Sequence, residues 1–233
     1  MSNQAERRIA LVAEGPTDYY IVEAALRAIL PHPFVLVLLQ PEATRPSFEQ
    51  GWCGVLKWCH DAAFRYVGLL EEDPLLPSFD MLIIHLDVDV AARSYDDCGQ
   101  QVAALAGQLG WLPLPCELPC PPAGDSASAL LAVLQSWLGS AVPGPRTVIC
   151  FPAQSSGTWL AAAHLPASHA LLAQSECDPS LESGLARLPL SQRIRKRVPE
   201  YRTLAPEISA RWAEVKARCT QAGQFEQAVQ AVP

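Results

Sequence analysis

The segment Ile9-Ala10-Leu11-Val12-Ala13-Glu14-Gly15-Pro16-Thr17-Asp18 decides the fold. An apolar run this short, closed by turn residues, is the pattern of a strand buried on both faces, as in a parallel sheet. Gly15 permits a sharp strand-to-helix turn, and Pro16 presets the backbone for a first helical turn. Thr17 is then expected to cap a helix reaching about Leu30, with Ile21, Val22, Ala25, Leu26 and Ile29 on its inner face. A second segment, Met81-Leu82-Ile83-Ile84-His85-Leu86-Asp87-Val88-Asp89, repeats the arrangement of an apolar run followed by carboxylates. Ligands and catalytic groups of parallel sheets gather beyond the strand C-termini. Glu14, Asp87 and Asp89 are therefore expected at one sheet edge, where they repel one another unless a cation lies among them.

Working outward, Phe34 to Leu39 reads as a second buried strand, after Pro31 and Pro33 stop the first helix. Pro41 to Gln50 is polar and irregular. Gly51 to Leu70 carries Trp52, Leu56, Cys59, Ala63 and Val67 at helical spacing, and the third strand spans Asp80 to Leu86. Helices are expected over Tyr95 to Leu109 and from a cap at Asp125 or Ser126 to Leu138. Between them, the proline-rich stretch Trp111 to Pro122 suits at best an edge strand and loop. Thr147 to Phe151 is a fourth strand. Thr158 to Gln174 is helical but divided at Pro166, and Ile208 to Cys219 is the clearest of the later helices. Strands alternating with helices predict an α/β fold, a mostly parallel sheet flanked by helices. Residues 1–152 form the core in this reading, and 153–233 a mainly helical C-terminal extension packed on it.

Half of the 233 residues are hydrophobic and 18% are charged, with a mean hydropathy of +0.12, so a sizeable core can be buried. No apolar stretch approaches the ~20 residues that span a bilayer. The first residues lead straight into a strand, leaving no room for a signal peptide, and a soluble cytoplasmic protein with no membrane partner is expected. The eight cysteines therefore do not read as a secreted disulfide framework, and several should be reduced and buried. A zinc site drawn from Cys53, Cys59 or His60, and the Cys116-x3-Cys120 pair is an alternative that lacks the paired CxxC spacing of most such sites.

A net charge of -7 and a pI near 5.2 are not the footprint of a nucleic-acid binder. Yet Arg187, Arg193, Arg195, Lys196, Arg197 and Arg202 fall in one segment opposed only by Glu200. Such a run is usually a solvated face. Beside a metal-phosphate site it would suit an anionic polymer, and Arg193, Arg195, Lys196 and Arg197 are the nucleic-acid contacts that reading nominates.

Asp87 and Asp89 are expected to point the same way, since residues two apart share a strand face, and together they could hold one hard cation or bridge two. Mg2+, or Mn2+ in its place, is the economical ion. Asp18 is either a helix-capping residue or a further ligand. His85 is a satisfied core histidine or a partner of Asp87.

A hydrophobic strand ending in Glu14-Gly15 and a second ending in Asp87-x-Asp89 resemble the Toprim domain of topoisomerases, DnaG-type primases and OLD-family nucleases. The form Glu14-Gly-Pro-Thr-Asp18 is most similar to OLD-type and small stand-alone Toprim-like proteins, many of them found in bacterial defence loci. The stretch Phe151-Pro152-Ala-Gln-Ser-Ser-Gly-Thr-Trp159-Leu160 and the ending Cys219-x5-Phe225 resemble the DUF4276-like group among these. The resemblance implies a Toprim-like fold and a Mg2+-dependent nuclease acting on DNA or RNA, with antiviral defence as its setting. In it Glu14, Asp18, Asp87 and Asp89 bind metal, and Glu14, Asp87, Asp89 and Lys196 carry catalysis. One departure stands out: where that group commonly has a glutamate two residues before the tryptophan, this chain has Gly157. That loss opens a second reading, a degenerate Toprim module serving as adaptor or sensor for a partner ATPase. A haloacid-dehalogenase-type phosphatase also places Asp-x-Asp after a strand, but no second strand-end acidic pair follows residue 89 and Lys216 is remote. Gln154-Ser-Ser-Gly157 lacks the glycine that a serine-hydrolase elbow requires before its nucleophile.

Overall fold

The computed structural model describes residues 6–42, 50–76 and 78–233. It is an α/β sandwich built on a parallel sheet. Strands β1 (Arg7–Val12), β2 (Phe34–Gln40), β4 (Met81–His85) and β6 (Thr147–Cys150) pair in the order β2-β1-β4-β6. Every pairing is parallel, with Ile9 beside Met81, Val12 beside Ile84, and His85 beside Cys150. Two further strands of two residues each, β3 (Gly68–Leu69) and β5 (Ala141–Val142), pair separately, also in parallel.

Alternation along each strand sorts side chains to two apolar layers. Ile9, Leu11, Met81, Ile83, Val148 and Cys150 join the core covered by α1 (Pro16–Ile29), by α5 (Gly157–His164) and by the helices beyond it. Ala10, Val12, Leu82 and Ile84 face α2 (Trp52–Arg65) and α4 (Ala123–Leu138), where Trp52 stacks on Trp137 with ring centroids 6.2 Å apart. The helix α3 (Gln100–Leu109) edges this second layer. Residues after Cys150 thus form the cover of one sheet face. Trp159, Tyr201, Ile208, Val215 and Phe225 lie in the same cluster as Ile9 and Leu11.

The departures from the sequence reading have local causes. Gly15, not Thr17, precedes the first helical residue, and Asp18 Oδ2 accepts the Gly15 amide at 2.9 Å. The expected helix over Tyr95 to Leu109 breaks at Gly99, whose φ of 102° is a left-handed conformation that favours glycine. Helix α4 begins two residues before the expected caps, because Ser126 turns its hydroxyl to the Leu118 backbone instead. Ile208 to Cys219 divides at Arg211 into α8 (Pro206–Ala210) and α9 (Trp212–Arg218). The helix before Pro166 ends at His164, as the proline requires. Within the irregular stretch Pro41 to Gln50, residues 43–49 lie outside the described residues.

The cysteines follow two fates. Cys59, Cys150 and Cys219 are free and buried, and Cys116 is free and half-buried. Cys53 bonds to Cys98 and Cys120 to Cys177. The zinc grouping of Cys53, Cys59 or His60, Cys116 and Cys120 is thereby overturned, since two of its thiols are spent on other partners. No described helix is long and apolar enough to cross a membrane.

Candidate metal centre

Strand order places the site. The chain steps from β1 outward to β2, then returns to the other side of β1 for β4, so the switch point lies between the C-terminal ends of β1 and β4. Crevices at such points are where open α/β sheets bind ligands. Glu14 follows β1, and Asp87 follows β4. The Asp87 amide donates to Glu14 Oε1 at 2.7 Å, tying the two strand ends together.

Ligand atoms of Glu14, Asp87 and Asp89 all lie within 4.8 Å of one another. The expected convergence of these three carboxylates therefore holds in space. The reason offered for it does not. Strand β4 stops at His85, and Asp87 precedes a 3-10 turn over Val88–Ala92, so Asp89 is not on a strand face shared with Asp87. The two acids consequently differ: the Asp87 side chain is 3% exposed, whereas that of Asp89 is 39% exposed and pairs with Arg93 at 3.0 Å.

The loop after β6 closes the site from a third side. Gln154 holds a φ of 60°, a left-handed backbone that costs a non-glycine residue about 1–2 kcal/mol. This turn aims the Ser156 amide at Asp87 Oδ1 (2.9 Å) and its hydroxyl at Asp18 Oδ1 (2.6 Å). Asp18 is fully buried, and its ligand atoms lie within 4.8 Å of those of His85 and Asp87. It caps the α1 turn and belongs to the cluster at once.

Lys196 enters from the far end of the chain. Its ammonium lies 3.3 Å from Asp87 Oδ2 and 3.1 Å from Glu182 Oε1. Among the basic residues of its segment, this is the one whose charge reaches the carboxylates. Arg193 instead lines a separate groove with Leu190, Pro199 and Thr203. The Arg195 amide donates to Glu200, and the Arg197 amide to the Arg195 carbonyl.

Electrostatics follow from crowding. Burial, then the neighbouring Asp18 and Asp89, push Glu14 up to about 8 from its ordinary 4.5, against the opposing Asp87 amide and Lys196. Asp87 is likewise held well above the carboxylate range by burial and by Glu14. Burial disfavours the Lys196 ammonium, but Asp87, Asp18 and Glu182 outweigh it and hold the proton more tightly than in water. Burial lowers His85, whose two ring nitrogens are both buried without a hydrogen-bond partner. Its Nε2 lies 3.5 Å from Asp87 Oδ1, beyond good hydrogen-bond length.

Glu182 was not singled out by the sequence. A Cβ on Gly157 would lie 3.3 Å from Glu182 Oε1, 2.9 Å from the Tyr201 hydroxyl and 3.2 Å from Ser155 Oγ. The Glu182 carboxylate thus occupies the space that a side chain at position 157 would need. No spacing rule could have linked residues 157 and 182, which meet only because α5 and α6 (Leu181–Arg187) pack together.

Beside the centre opens a cavity of 390 Å³, bordered by Asp89, Arg93, Glu117, Gln154, Asp178 and Glu182 among others. Its volume suits a small ligand or one unit of a polymer. Four carboxylates against one guanidinium make it a poor receptor for an anion unless cations are bound. The oxygen donors of Glu14, Asp87 and Asp89 match what a hard divalent ion requires. The chain matches no protein-family model, no curated protein and no solved structure.

Proposed function

We propose that this protein is a Toprim-like, divalent-metal-dependent hydrolase of phosphodiesters, a nuclease of the kind expected in antiviral defence. The observation that carries the reading is the meeting of Glu14, Asp87 and Asp89 at the switch point of a parallel sheet. Mg2+ or Mn2+ would be held by these three, with Asp18 behind them. When bound, such an ion neutralises charge on a phosphate and lowers the pKa of coordinated water.

The protein's own groups supply the rest. Ser156 and Lys196 hold the Asp87 carboxylate in place through both of its oxygens. Glu14 is either one of these ligands or, left off the ion, a general base: in the metal-free protein burial and the neighbouring Asp18 raise it to about 8, close to neutral pH. Lys196 and Arg93 bring positive charge to the centre, 3.3 Å from Asp87 and 3.0 Å from Asp89, and are the groups available to stabilise charge developing on a phosphate. At 2% exposure, Asp87 gives a phosphate no direct approach of the kind that the nucleophilic role of a haloacid-dehalogenase-type phosphatase requires.

The second reading, a degenerate adaptor or sensor for a partner ATPase, draws support from one observation. The cavity beside the centre sets four carboxylates against the single guanidinium of Arg93, a poor surface for a polyanion. The two readings separate by incubating the protein with plasmid, single-stranded DNA and RNA in Mg2+ or Mn2+. The nuclease reading requires cleavage that Asp87→Ala abolishes and Lys196→Met slows about 100-fold or more, the scale of losing one charge-stabilising donor. Cleavage persisting in Asp87→Ala refutes it, and no cleavage under any of these conditions leaves the adaptor.

A further inference from the structure

Beneath the three-carboxylate cluster lies a second constellation of different chemistry. His85 is the last residue of β4 and points to the same sheet face as Ile83, toward α1. It is fully buried, and neither ring nitrogen has a hydrogen-bond partner. A buried polar group in that state costs roughly 1–3 kcal/mol, so a native structure should hold something that satisfies it. Around it the structure sets Asp18, also fully buried, and Asp87, 2% exposed. One ligand atom from each of the three lies within 4.8 Å of the others. The residues nearest to hand do not meet the need: the Ser156 hydroxyl is committed to Asp18, its amide to Asp87, and the Lys196 ammonium to Asp87 and Glu182.

We infer that His85, Asp18 and Asp87 form a second cation site, one nitrogen and two carboxylates, that takes a divalent first-row transition ion in preference to Mg2+. The inference deepens the proposed metal centre and rests on it, since Asp87 would be shared between the two sites. Three ligands spread evenly at about 2.0–2.2 Å from one ion stand about 3.5–3.8 Å apart, a spacing that His85 Nε2 and Asp87 Oδ1 already show at 3.5 Å. Imidazole nitrogen suits Zn2+ and Fe2+, and Mn2+, though at home among oxygens, accepts it more readily than Mg2+, which keeps its waters. Glu14 and Asp89 offer oxygen alone and form the harder site. A carboxylate shared between two ions is the arrangement by which paired metals clamp a phosphate. The two constellations are thus chemically unequal.

The test is ion binding, independent of any substrate. Titration calorimetry with Mn2+ and with Mg2+, on the full chain freed of metal, should show two Mn2+ but one Mg2+ per chain. His85→Asn should keep one Mn2+ and weaken the other at least tenfold, and Asp18→Asn should do the same. Because a variant in the core can misfold, pulsed electron paramagnetic resonance on the unmutated chain gives a second readout. With histidines labelled by 15N, bound Mn2+ should show hyperfine coupling to nitrogen. Two Mn2+ bound by His85→Asn as tightly as by the wild type, or no nitrogen coupling in the wild type, overturns the second site. A single ion lost in Asp89→Asn and indifferent to His85→Asn also overturns it while leaving the first site intact. No binding of either ion by the wild type sinks both.

Discussion

Replacing Glu14 with glutamine should stabilise the metal-free protein at neutral pH and flatten its pH dependence. Glu14 is raised to about 8 by burial and by Asp18 and Asp89. Between its ordinary 4.5 and that value the folded state binds a proton that the unfolded state has released. Stability therefore falls as pH climbs through this window, at about 1.4 kcal/mol per pH unit for one such group. From pH 4.5 to 7 the loss is about 3 kcal/mol, and Asp87, raised in the same direction, adds to it. For a domain of this size that corresponds to roughly 6–12 °C in Tm. Glutamine keeps an oxygen to accept the Asp87 amide and carries no charge, so Glu14→Gln should remove most of the slope. The assay is thermal or urea unfolding in EDTA at half-unit steps from pH 5 to 8, repeated with excess Mg2+. Metal binding needs the deprotonated carboxylate, so in Mg2+ the wild-type slope should shrink or reverse, whereas Glu14→Gln should gain little from the ion. A wild-type curve that is flat or rising in EDTA, or a Glu14→Gln curve with the same slope, would refute the reasoning.

Four other expectations concern Glu71, two glycines and the cysteines. Burial works against the charge on Glu71, but hydrogen bonds from Thr147 and the Arg146 and Gly144 amides outweigh it and hold its carboxyl below the ordinary range. Its contribution should be complete above pH 4.5 and vanish as pH falls through its lowered value, and Glu71→Ala should delete that acid limb of the unfolding profile. A Cβ at position 144 would lie 2.3 Å from Glu71 Oε1, so Gly144→Ala should cost about 1–3 kcal/mol in urea unfolding. Gly157→Ala should cost a similar amount by displacing Tyr201 and Glu182, measured the same way. Finally, denatured but unreduced protein should show four thiols to a chromogenic disulfide reagent, and eight after reduction.

The strands and their order of burial were legible because apolar runs of four to seven residues closed by Gly, Pro or Asp have few other uses. Glu14, Asp87 and Asp89 were legible for the same reason, as charges at the ends of runs that leave no solvent beside them. Other features depended on contacts that no local pattern records. The two-residue strands β3 and β5 are too short to show a period. The pairing of Cys53 with Cys98 and of Cys120 with Cys177 spans 45 and 57 residues. Glu182 sits in a short helix, next to the buried Leu181 and Leu185, where by itself it reads as an ordinary solvated carboxylate. Lys196 was one cation among six, and only the packing of α6 and of α7 (Val198–Leu204) on either side of it singled it out. The shared-face argument for Asp87 and Asp89 reached the right neighbourhood by a wrong route, because the strand ended at His85, four residues short of Asp89.

Lys196 joins the carboxylates from a point more than a hundred residues beyond Asp87. As the chain is synthesised, β1, β4 and β6 can pair before that ammonium has left the ribosome. During that interval Arg93, paired with Asp89, is the cation beside the acids, and Asp87 lacks the ammonium that will hold it. Protons or cations from the surroundings must screen them, and the last quarter of the chain then arrives as the internal replacement.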